Sequence, residues 1–95
     1  MEPDFYYMLL AIDKLFQNKY RQYISSKRDI NGYRQTIVYR ENNNPETKYS
    51  IEIIKPHYIW CSIPIKNSNY LYRTLFNYKE YNIIRVYEYL KLHVE

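Results

Sequence analysis

The sequence predicts an α+β fold in which two helices pack on one face of an antiparallel sheet. Apolar residues recur at helical spacing near both ends of the chain, and apolar and polar residues alternate between them. Ninety-five residues with 46% apolar side chains suit a single domain over residues 1–95. We therefore expect a two-layer sandwich with a long N-terminal helix, a three-stranded or four-stranded antiparallel sheet, and a C-terminal helix.

The first helix is predicted over residues 5–24. Pro3 and Asp4 suit its start, because an aspartate accepts hydrogen bonds from the free amides of a first helical turn. The apolar positions that set its helical period are Phe5, Leu9, Ile12, Phe16, Tyr20 and Tyr23. Residues 25–32 are predicted to form a loop, in which Asn31 and Gly32 make a dipeptide typical of turns.

Alternation of side chains predicts three strands in the middle of the chain, at residues 33–40, 48–54 and 57–65. Residues 41–46 are polar and should form a turn, and Pro56 should end the second strand. The third strand is apolar on both faces, which is typical of a strand that is covered on both sides or contacts a partner. Residues 70–73 would add a short edge strand and make the sheet four-stranded.

The C-terminal helix is predicted to begin at a capping box formed by Asn77 and Glu80. Apolar residues then recur at helical spacing, at Ile83, Ile84, Tyr87, Leu90 and Val94. The two helical stripes would pack on the sheet face that bears Ile37, Tyr39, Ile51, Ile53, Ile59 and Ile63. The opposite face of the sheet would then be open.

The residues that common catalytic sites require are scarce. One glycine is too few for a phosphate-binding loop, and His57 and His93 are too far apart in sequence for the usual zinc motifs. Cys61 has no second cysteine with which to pair, and we expect it to be a small core residue. We therefore expect no enzyme, no catalytic residue, no metal site and no small-molecule cofactor.

The same composition bears on location and origin. A lone cysteine favours a reducing compartment, so we expect an intracellular, cytoplasmic protein, or a nuclear one in a eukaryotic host. No apolar run approaches the twenty residues of a membrane span. Abundant Asn, Ile, Lys and Tyr beside scarce Gly and Ala are typical of AT-rich genes, such as those of large DNA viruses and mobile elements.

Fourteen tyrosines and a net charge of +4 point to binding as the function. The predicted open face mixes cations with aromatic rings. Its candidate binding residues are Arg34, Arg40, Lys48, Tyr58 and Trp60, with Lys27 and Arg28 extending it from the preceding loop.

This mixture leaves two functions open. The first is a protein partner or homodimer at Tyr58 and Trp60, as in a viral or mobile-element effector that binds a host protein. The alternative is a nucleic-acid-binding accessory protein that takes single strands or duplex. A face that is merely solvated, or covered by residues 66–74, is the third interpretation.

Overall fold

Two helices and five strands follow one another along the chain in the computed structural model, which describes residues 2–30, 32–55, 57–66, 68, 70–77 and 82–94. Their bounds are α1 Glu2–Leu15, β1 Tyr20–Asp29, β2 Gly32–Glu41, β3 Lys48–Lys55, β4 Tyr58–Pro64, β5 Leu71–Asn77 and α2 Asn82–His93. The predicted α+β class is confirmed. The predicted number of strands, three or four, is too low.

All five strands form one antiparallel sheet in the order β1-β2-β3-β4-β5, so each strand pairs with its neighbours in sequence. The β1–β2 hairpin pairs Asp29 with Gly32, and Gly32 has a φ of 129°, which a residue with a Cβ adopts only with strain. Asn31, which was predicted to lie in a turn, and Pro56, which was predicted to end the second strand, lie outside the described residues.

Both helices bury their apolar stripes against the same face of the sheet. The helices and the turn after α1 contribute Phe5, Ile12, Phe16, Ile83, Val86 and Leu90 to the core. The three central strands contribute Ile37, Tyr39, Tyr49, Ile51, Ile53, Ile59, Cys61 and Ile63. The hydroxyl of Tyr49 donates a 3.0 Å hydrogen bond to the carbonyl of His93, which satisfies one of the free carbonyls at the end of α2. None of the helices described is long and apolar enough to cross a membrane.

The N-terminal helix is shorter than predicted, because it ends at Leu15 instead of continuing to residue 24. The amide of Phe16 bonds to the carbonyl of Asp13 at 3.1 Å, which tightens the last turn. Asn18 then adopts a φ of 77°, a left-handed conformation that asparagine tolerates better than most residues. The chain reverses there and enters β1.

Residues 20–29 form β1, so the predicted helix end and most of the predicted loop at 25–32 are both wrong. Gln22 links β1 to α1 and β2, since its side-chain amide donates to Asp13 Oδ1 at 2.8 Å and to the Tyr39 hydroxyl at 3.0 Å. The Tyr39 ring is buried against the Phe16 ring, with 4.0 Å between centroids. Burial raises the pKa of Tyr39 to about 12; the Gln22 hydrogen bond opposes this shift and the Asp13 charge adds to it.

The other edge of the sheet also differs from expectation. The predicted short strand at 70–73 is a seven-residue strand, Leu71–Asn77. Asn77 therefore lies in β5 and does not cap the last helix, and Glu80 lies outside the described residues. The helix α2 spans Asn82–His93 and buries Ile83, Val86 and Leu90, which are spaced as one helical face.

Candidate binding face of the sheet

Residues that pair across antiparallel strands point to the same side of the sheet, so the register shows which side chains lie opposite the helices. We call this side the open face. From β1 to β3 it bears Arg21, Tyr23, Ser25, Lys27, Arg34, Thr36, Val38, Arg40, Lys48, Ser50, Glu52 and Ile54. From β4 and β5 it bears Tyr58, Trp60, Ser62, Pro64, Leu71, Arg73, Leu75 and Asn77.

The open face places cations directly opposite one another. Arg40 pairs with Arg21 on one side and with Lys48 on the other, which makes a row of three cations on neighbouring strands. Lys27 pairs with Arg34 toward the other end of β1 and β2. Like charges directly opposite each other in a sheet are destabilising, at roughly 0.2 to 1 kcal/mol a pair. A bound anion would remove this cost.

The charge of the whole chain is concentrated on this face. Among the residues whose side chains the structure describes, it carries six basic residues and one acid, so its formal charge is +5. The other residues of the sequence are eight basic and nine acidic ones, whose formal charge is −1. The six open-face cations are Arg21, Lys27, Arg34, Arg40, Lys48 and Arg73, and the acid is Glu52.

A second cluster lies toward β5 on the same face. The Arg73 guanidinium sits 4.3 Å from the centre of the Trp60 ring and 3.4 Å from Glu52 Oε1. The Tyr58 ring meets the Trp60 ring edge to face, with 6.2 Å between centroids, and the Tyr58 side chain is 38% exposed. Arg73, which belongs to the 66–74 segment, therefore lies against one side of Trp60.

A small cleft of about 210 Å³ lies beside the row of three cations. Its lining includes Arg21, Tyr23 and Arg40, together with one acid, Glu41. The Arg40 guanidinium is held by a 3.0 Å hydrogen bond from Nη1 to the carbonyl of Pro45. A guanidinium fixed in this way still offers donors to a phosphate group.

A larger cleft of about 590 Å³ opens at the end of the sheet, between the β2–β3 and β4–β5 loops. Its charged lining mixes acids with cations: Glu41, Glu46, Lys48 and Lys66. This mixture favours neither an anion nor a cation.

The predicted residues fall into two groups. Arg34, Arg40, Lys48, Tyr58 and Trp60 lie on the open face, as the alternation implied. Lys27 also lies there, but as part of β1 and not of a loop. Arg28 does not lie on the open face as predicted, because it pairs with Tyr33 on the opposite side of the sheet. Its guanidinium carbon lies 5.8 Å from the centre of the Tyr33 ring.

Sequence reasoning missed Arg21, Tyr23 and Arg73. The first two were assigned to a helix, and the third to a short edge strand that was not included in the candidate site. The turn dipeptide that ends in Gly32 was the available signal, because such a pair joining two extended segments is typical of a hairpin. A hairpin closed there pairs Lys27 with Arg34 and extends back to Arg21 and Arg40.

Two observations on the described residues concern a metal site and Cys61. No group of three His, Cys, Asp or Glu side chains among them could bind a metal ion. Cys61 is fully buried, and burial raises the pKa of its thiol to about 12, which suits a core residue and not a nucleophile. Comparisons with known proteins name no family: no family model, no curated protein and no solved structure matches the chain.

Proposed function

We propose that this chain is a non-enzymatic binding protein and that its open face binds single-stranded nucleic acid. The observation that carries the proposal is the placement of charge: the described side chains of the open face carry a formal charge of +5, while all other residues of the sequence together carry −1. Such a surface attracts a polyanion from a distance and orients it on approach.

The spacing of the cations suits a nucleic-acid backbone that lies on the open face and runs parallel to β1 and β2. The pair Lys27–Arg34 and the pair Arg21–Arg40 are six residues apart in register, which is about 20 Å along the strands. Between them lie the hydroxyls of Ser25 and Thr36, together with Tyr23, whose side chain is 49% exposed. Phosphates would contact the cations at both ends, and the intervening groups would contact sugars and bases.

The aromatic residues favour a single strand over a duplex. Bases stack on exposed rings for about 1 to 3 kcal/mol each, and a duplex hides the base faces that stacking needs. Tyr23 and Tyr58 are the open-face rings with the greatest exposure among the described residues. Trp60 would contribute less, because Arg73 already lies against it.

A protein partner is the second candidate. The same face exposes apolar area at Tyr58 and Leu75, which are 38% and 50% exposed, and surfaces of this kind occur in protein interfaces. An effector that binds a host protein through this face would depend on these two side chains more than on the open-face cations.

Charge reversal at two matched positions tests the first proposal. Arg34→Glu changes the charge of the open face, whereas Lys14→Glu makes the same change in net charge at an exposed position of α1. Fluorescence anisotropy at low salt with a labelled oligothymidylate should show at least about a tenfold loss of affinity for Arg34→Glu. The Lys14 variant should stay within about twofold of the parent protein.

A duplex of equal length should bind more weakly than the single strand. Equal losses of affinity in both variants would mean that binding depends on net charge alone, and would contradict a site on the open face. No binding of the parent protein at low salt would remove the nucleic-acid proposal and leave the protein partner.

A further inference from the structure

We propose that the chain forms a homodimer by pairing the outer edge of β5 with β5 of a second copy, so that two sheets join into one of ten strands. The strand β5, Leu71–Asn77, is at one end of the strand order and contains neither proline nor glycine. Outer strands without such features are templates for pairing with another chain.

The side chains of β5 are unusually apolar for an outer strand. Tyr72 is 57% exposed and Leu75 is 50% exposed, on opposite sides of the sheet. Arg73 is the one charged residue of the strand, and Glu52 and Trp60 already engage its guanidinium. The usual protection of an edge by free charges is therefore weak here.

The other outer strand makes a poor self-pairing surface. The strand β1 carries three cations, Arg21, Lys27 and Arg28, and one acid. Two copies of β1 side by side would bring six cations together. Pairing along β5 brings together two arginines that each have an acidic partner, so repulsion selects β5.

Antiparallel self-pairing about Thr74 gives a complementary register. Tyr72 then lies opposite Phe76 of the second copy, twice by symmetry, and aromatic cross-strand pairs stabilise sheets. Arg73 lies opposite Leu75 of the second copy, so no like charges meet. A shift of two residues in one direction would put the two copies of Arg73 opposite each other, which disfavours that register.

The two-fold axis of this dimer is perpendicular to the sheet. Both open faces therefore lie on the same side, and the dimer presents one continuous surface with twice the charge of the monomer. The pairing itself does not depend on what the open face binds. Because a seven-residue strand gives a small interface, we expect a dissociation constant in the micromolar range.

Two substitutions of Leu75 are expected to have different effects on the stability of the dimer. Leu75→Lys places a cation opposite Arg73 of the second copy and should weaken the dimer by about tenfold or more over the two symmetric pairs. Leu75→Glu places an acid there and should leave the dimer at least as tight as in the parent protein. Ile24→Lys is the control, because Ile24 is a similarly exposed aliphatic residue on β1.

Sedimentation velocity over a range of concentrations measures all four proteins, and circular dichroism checks that each is folded. Hydrogen exchange on the parent protein provides a second readout, since the amides of β5 should be protected as concentration rises while those of β1 should not. A parent protein that stays monomeric at high concentration overturns the proposal. Equal dissociation by both Leu75 substitutions, or dissociation by Ile24→Lys, overturns it as well.

Discussion

The salt dependence of nucleic-acid binding should report how many open-face cations contact phosphates. Arg73 is already paired with Glu52 at 3.4 Å. Five further cations then remain for phosphates: Arg21, Lys27, Arg34, Arg40 and Lys48. Each contact to a single strand contributes about −0.7 to the slope of log affinity against log salt, so five contacts give about −3.5. A fourfold rise in salt should then lower the affinity about 100-fold.

Removing two of these cations changes the expected slope by a measurable amount. With Arg34 and Arg40 both changed to alanine, three contacts remain, the slope falls to about −2, and the same rise in salt costs about 20-fold. The control changes Lys14 and Lys91 to alanine, which removes the same charge from exposed positions on the two helices. Its slope should match that of the parent protein.

Fluorescence anisotropy with one labelled oligothymidylate, repeated across a salt series, measures both slopes. A thermal melt of each variant shows whether it is folded, which matters because Arg40 also bonds to the carbonyl of Pro45. If the two double variants have the same slope, phosphates do not contact the cation rows and the reasoning fails.

Three further outcomes are expected. Trp60→Ala should weaken nucleic-acid binding with little change in the salt slope, because stacking releases few ions; a changed slope would argue against this. Arg21→Gln should leave the melting temperature at low salt unchanged or raise it, because it relieves repulsion from Arg40, yet it should weaken binding. Stability should fall between about pH 10 and 12 by roughly 2 to 3 kcal/mol, because Tyr39 ionises in the unfolded chain before it does in the folded one. In denaturant titrations at these pH values, the free energy of unfolding of the Tyr39→Phe variant should fall much less than that of the parent protein.

The sequence by itself was sufficient for the centre of the fold. The strands β2, β3 and β4 are buried on one face and open on the other, so their residues alternate, and burial follows that alternation in β3. The helix α2 and the first part of α1 were likewise readable, because a helix that buries one stripe must repeat its apolar residues at helical spacing. These elements placed Arg34, Arg40, Lys48, Tyr58 and Trp60 on one side.

Only the tertiary structure decided the two edges of the sheet. An outer strand is exposed on both faces, and β1 is exposed along almost all its length, so no buried face imposes an alternating pattern on its sequence. Tyr20 and Tyr23 therefore fitted the helical period of Phe5–Phe16, until pairing with β2 over ten residues placed them in a strand. That pairing also set Arg21 beside Arg40 and Lys27 beside Arg34, and so gathered these four cations on one face.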